Sequence, residues 1–133
     1  MGAWGIGNFD NDDAADWVYE LAESDGTDVL VRALEAATSD GYLEAPVASV
    51  GLAAAEIVAA MLGNAGKALP DDVRKWLGQN GGLEVDHDLL TLSRSAVIRV
   101  KEDSELRELW QDSADYEQWL SLQDDLLKRL GAG

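Results

Sequence analysis

The chain has 133 residues, enough for one domain that removes about two-thirds of its unfolded surface from water. It holds no cysteine, which excludes disulfides, zinc–thiolate sites and cysteine nucleophiles, and its 47% apolar content marks a globular chain. Ten Lys and Arg against 26 Asp and Glu give a net charge of −16, a balance that repels nucleic acid and anionic lipid and attracts basic proteins or cations.

The imbalance is uneven. Residues 1–66 carry twelve acidic side chains and one basic one, Arg32 (−11), whereas residues 67–133 carry fourteen and nine (−5). Solubility alone accounts for such a surface as readily as a charge-selected partner does. The opening MGAWGIGNFDND lacks the basic residues and apolar run of a signal peptide, so a cytoplasmic location is expected. Ile6 occupies the place where a myristoylation signal needs Ser or Thr.

In chain order, residues 1–9 form a loop rich in Gly and Trp, with Gly2, Gly5 and Gly7 alternating with Trp4, Ile6 and Phe9. Glycine at such spacing suggests backbone angles closed to other residues. A helix then starts with Asp10 as its N-cap and runs through Ser24, with Ala14, Trp17, Val18, Leu21 and Ala22 on one stripe and Asp16, Glu20 and Glu23 outside. Asp12 and Asp13 fall in its first turn, where the helix dipole favours negative charge. A second helix starts near Asp25 to Thr27 and runs to about Thr38, with Leu30, Ala33, Leu34 and Ala37 at helical spacing.

The stretch from Ala45 to Leu62, APVASVGLAAAEIVAAML, holds one charge, Glu56, and is otherwise small or apolar apart from Ser49. A helix without a polar face belongs in a core. Its apolar run is short for a membrane span of roughly 20 residues and it carries a carboxylate, so a buried helix is the expectation. Pro46 suits its first turn and Gly63-Asn64 ends it.

Pro70 opens a short helix with Val73, Trp76 and Leu77 facing in, and Gln79-Asn80-Gly81-Gly82 breaks it. A further helix spans Asp86 to about Lys101, with Leu89, Leu90, Ala96, Val97 and Val100 on its apolar side. Ser104 caps a short helix carrying Leu106, Leu109 and Trp110. Ser113 caps the last one, with Tyr116, Trp119, Leu120, Gln123, Leu127 and Leu130 on one face and Gly131 just past its end. Only Leu83 to Val85 leaves room for a short bridge. The expected fold is therefore all-α: a single domain, residues 1–133, of six or seven helices around the central apolar helix at about 45–62.

The opening MGAWGIGNFDNDDAADW, followed by the helix AAAEIVAAMLG, resembles a bacterial family of domains of unknown function, the one numbered 4259. The likeness covers most of the chain, though only the first 17 residues form a specific motif. It implies a small helical bacterial protein and supplies no catalytic residues to carry over.

Candidate chemistry rests on the residues themselves. Asp10, Asp12, Asp13 and Asp16 crowd together, but a helix–loop–helix calcium site fails on spacing. From Asp10, position five is Ala14, position six Ala15 and position twelve Leu21, where that loop needs a ligand, Gly and Glu. A looser hard-cation site, with Asn8 or loop carbonyls, stands beside the simpler reading of a capped and solvated helix start.

Glu56 is flanked one turn away by Leu52, Ala53, Ala59 and Ala60, so its carboxylate must be paired, hydrogen-bonded or protonated. Arg94, Arg99, backbone N–H groups or the indoles of Trp4 and Trp17 are the expected partners. A contact pinning the glycine loop to the central helix is the structural role, and a cleft carboxylate shared with Asp13 or Asp16 is the functional one.

Other signals dissolve. His87 is the single histidine, between Asp86 and Asp88 at a helix start. Gly63-Asn64-Ala65-Gly66-Lys67-Ala68 lacks the glycine spacing and the Ser or Thr of a phosphate loop, and Gly2, Gly5 and Gly7 follow no strand. The phasing of Trp17, Trp76, Trp110 and Trp119 indicates core packing over base or sugar stacking.

Two functions of different classes remain. The first is a non-enzymatic acidic module that docks on a basic protein, as an inhibitor or immunity protein would. The second is a hard-cation or small-ligand site, hydrolytic in its sharpest form, built from Trp4, Asp12, Asp13, Asp16 and Glu56. No cofactor is expected, and neither nucleic acid nor a membrane is an expected partner.

Overall fold

A computed structural model describes residues 5–131. They form seven α-helices: α1 (Asp12–Ala22), α2 (Asp28–Thr38), α3 (Ala45–Met61), α4 (Asp71–Gln79), α5 (His87–Glu102), α6 (Glu105–Gln111) and α7 (Tyr116–Arg129), with no strand among the described residues. The segment from Leu83 to Val85 is irregular.

Helix α3 is the hub and touches each of the other six. Every residue from Gly51 to Ala59 is buried, as an apolar helix without a polar face requires. Pro46 lies in its first turn and Gly63, at φ +88°, follows its C-cap Leu62. Small side chains set the spacing of the neighbours. A Cβ on Gly51 would sit 2.6 Å from the Ala37 Cβ, so α2 and α3 cross at a point where only glycine fits. Helices α2, α3 and α5 form the most extensive packing, α1 pairs with α4, and α6 and α7 close the remaining sides of α3. Trp17, Trp76, Trp110 and Trp119 are all buried, the last two stacked at 6.4 Å between ring centroids.

Helix boundaries differ from expectation where two capping residues compete. Asn11, in extended conformation, caps α1 by accepting the Ala14 N–H at 2.8 Å; the expected cap, Asp10, lies one residue outside. Asp10 instead turns its carboxylate back over the loop, into the space where Cβ atoms on Gly5 and Gly7 would lie. Neither glycine has positive φ, so their small size, not their backbone freedom, is what the loop uses. At the last helix Asp115 takes the cap position, and Ser113 Oγ accepts the Asp115 N–H at 3.0 Å one step earlier. Leu126, not Leu127, is fully buried on α7, and Leu109 on α6 is exposed while Leu106 and Trp110 are buried.

Candidate functional site: a cleft over a buried ion pair and an acidic face

Glu56 lies near the middle of α3 and is 6% exposed. Its partner is Arg129, at the last position of α7: Nη1 donates to Oε1 at 2.8 Å and Nη2 to Oε2 at 3.1 Å, a bidentate pair. The expected partners are engaged elsewhere. Arg94 Nη1 donates to the carbonyls of Leu127 and Gly131, and Arg99 donates to those of Ser39, Gly41 and Asp103. Both α5 guanidiniums thus close helix C-termini, where open carbonyls and the dipole attract cations. Trp17 shows no bond to a carboxylate among the described residues, and Trp4 lies outside them.

Two buried amides complete the surroundings of Glu56. Asn8 Nδ2 donates to Glu56 Oε2 at 2.9 Å and to Gln123 Oε1 at 3.1 Å, while Gln123 Nε2 donates back to Asn8 Oδ1 at 2.9 Å. The loop before α1, the hub helix and the last helix therefore meet in one hydrogen-bonded knot. Among the described residues no buried side-chain nitrogen or oxygen lacks a partner.

Arg129 also donates through Nε to Asp125 Oδ2 at 2.8 Å. Burial pulls the Arg129 guanidinium down, but its bonds to Glu56 and Asp125 carry it above its ordinary value. Gly66 closes the knot from the fourth side, where a Cβ would stand 3.1 Å from Glu56 Oε1 and 3.3 Å from Arg129 Nη1.

This knot lies against a cleft of about 790 Å³, within the size range of small-molecule sites. Residues 6–10, residues 65–69 and one face of α7 form its walls. A smaller cavity of about 230 Å³ lies beside Gly5 to Asn8, Ser49 and Trp110, and Asp13 borders that one. Asp13 and Glu56 thus face different cavities. Asp12, Asp13 and Asp16 are exposed on α1, and no three His, Asp or Glu side chains among the described residues converge to hold a metal ion.

The second feature is electrostatic. All eleven carboxylates from Asp10 to Glu44 are exposed, against one cation, Arg32. Asp13, Asp16, Glu20, Glu23, Asp25, Asp28 and Glu35 take part in none of the ion pairs among the described residues. The faces of α1 and α2 adjoin at a shallow hollow lined by Trp17, Glu20, Val29, Arg32, Ala33 and Val50.

Arg129, Gln123 and Asn8 are the site residues that sequence reasoning missed or misassigned. A signal existed for the first two, because Trp119, Gln123, Leu126 and Arg129 follow one another at steps of three or four along the inner face of α7. Nothing local marks Asn8, which acts across 48 residues.

The fold and the knot define an acidic, seven-helix bundle without a strand or a membrane-crossing helix among its described residues. Residues 2–121 match the family described as a domain of unknown function (DUF4259), and the chain belongs to it. None of the curated proteins and none of the solved structures compared with the chain matches it.

Proposed function

We propose that the protein is a non-enzymatic protein-binding module that captures a basic partner on the outer faces of α1 and α2, in the manner of an inhibitor or immunity protein. The exposed run of eleven carboxylates opposed by Arg32 alone carries this reading. Asp13, Asp16, Glu20, Glu23, Asp25, Asp28 and Glu35, which take part in no ion pair among the described residues, keep their field available to an approaching molecule, so they steer encounter and select for opposite sign. Asp16, Glu20 and Glu23 succeed one another at steps of four and three, so α1 presents them together.

The cation alternative, through Asp12, Asp13, Asp16 and Glu56, has less support, since Glu56 is committed to Arg129 and Asn8.

The test compares the wild-type chain with an Asp16→Lys/Glu20→Lys/Glu23→Lys variant as bait in native-host extract, followed by reconstitution with the purified basic protein. A one-to-one complex that weakens steeply from low to physiological salt and is lost in the variant is the expected result. A complex retained by the variant, or no stoichiometric complex with any basic protein, overturns it.

A further inference from the structure

The 790 Å³ cleft shares only Asp10 with the acidic run proposed above to meet a basic protein and has its own chemistry. Its apolar lining comes from Ile6, Phe9, Leu69 and Leu122. Its charged lining comprises four carboxylates, Asp10, Glu56, Glu117 and Asp125, and two cations, Lys67 and Arg129. Half of these charges are paired with one another.

Arg129 is held between Glu56 and Asp125, so that group of three carries a net negative charge and offers no cation to a ligand. Asp10, on the loop before α1, and Glu117, on α7, are exposed and take part in no ion pair among the described residues. Lys67 is the remaining positive group of the lining, and it is exposed as well. Gln118 and Ser121 add neutral hydrogen-bonding groups from α7.

A concave lining that mixes apolar side chains with an excess of carboxylates suits one class of small molecule. We propose that the cleft binds an organic cation with an aliphatic body: an amine whose chain lies on Ile6, Phe9, Leu69 and Leu122 and whose ammonium groups are held by Asp10 and Glu117. These apolar side chains contribute about 25 cal/mol for each Å² of apolar surface removed from water. The carboxylates supply the sign discrimination, since four of them line the cleft against two cations. Gly66 lets residues 65–69 pass close to the ion pair, where a Cβ would stand 3.1 Å from Glu56 Oε1.

The experiment uses 1,6-diaminohexane and hexylamine as probes, with hexanoate as a control of similar apolar body and opposite charge. Backbone amide shifts are followed by ¹⁵N NMR on the full chain at fixed ionic strength. The amines are expected to give saturable shifts at Gly7, Gly66 and Ser121 while hexanoate gives none. An Asp10→Asn/Glu117→Gln variant should bind the amines about fivefold more weakly, the size expected for two exposed charge contacts. A Ser121→Trp variant, which fills the cleft from an exposed position on α7, should abolish binding at an unchanged melting temperature.

Equal or tighter binding of hexanoate, amine shifts confined to α1 and α2, or saturable binding that survives Ser121→Trp would each overturn the proposal. Because Ser121 lies away from the α1 and α2 faces, capture of a basic protein by Ser121→Trp reports on the earlier reading separately.

Discussion

The bidentate contact between Glu56 and Arg129 ties the hub helix to the last helix. The two side chains are 8% and 17% exposed, so removing either partner strands a charge in a poorly solvated place. Arg129→Ala is expected to cost about 3 kcal/mol, measured by urea unfolding, because the surviving carboxylate loses its compensation. The Glu56→Ala/Arg129→Ala double variant should cost less than the sum of the single changes, which a double-mutant cycle reads directly.

Tyr42 is a contrasting case on the surface. Its hydroxyl donates to Glu108 Oε2 at 2.7 Å, and chiefly through that bond its pKa is raised from 10.0 to about 12. The bond's contribution to stability is therefore complete below pH 10.0 and disappears as pH rises through about 12. Ultraviolet titration of the phenol should show the raised midpoint in the wild-type chain and a return towards 10.0 in Glu108→Gln.

At the scale of elements, the crossing of α2 and α3 rests on a pair of small residues. Gly51→Ala gains about 1 kcal/mol of helix propensity but places a methyl group 2.6 Å from the Ala37 Cβ. Overpacking of that kind costs typically 1–3 kcal/mol, so the net expectation is a loss of about 1 kcal/mol. Adding Ala37→Gly should relieve the clash, so the double variant is more stable than additive single effects would make it; thermal unfolding of the four proteins checks this.

Such periodic features are what the sequence discloses well. The apolar run of α3 identifies a hub before any contact is known, and the phasing of the tryptophans identifies core. The caps are harder, because Asp10 and Asn11 are both good N-caps and only the path of the preceding loop chooses between them. The partner of Glu56 is harder still. Three arginines, Arg94, Arg99 and Arg129, are chemically equivalent candidates, and the choice depends on which helix ends lie within reach of each. That is a property of assembled helices and not of any local pattern. The glycines of the opening loop are legible as a constraint, yet their cause, the folded-back Asp10 carboxylate, is not.

For the molecule as a whole, a net charge of −16 makes the compact state work against its own repulsion. Stability should rise as sodium chloride is increased from low to physiological concentration, since screening acts over about 10 Å at 0.1 M. At matched ionic strength magnesium and sodium should give the same melting temperature, because no carboxylate cluster among the described residues is built to chelate. Calorimetric scans in the two salts separate screening from specific binding.

The span of the Glu56–Arg129 contact, 73 residues, also bears on how the protein is made. As synthesis proceeds the hub helix leaves the ribosome long before its cationic partner exists, so an early collapse around α3 would trap an uncompensated carboxylate. Packing of α3 against its neighbours therefore leaves the Glu56 carboxylate without its charge partner until α7 has been made.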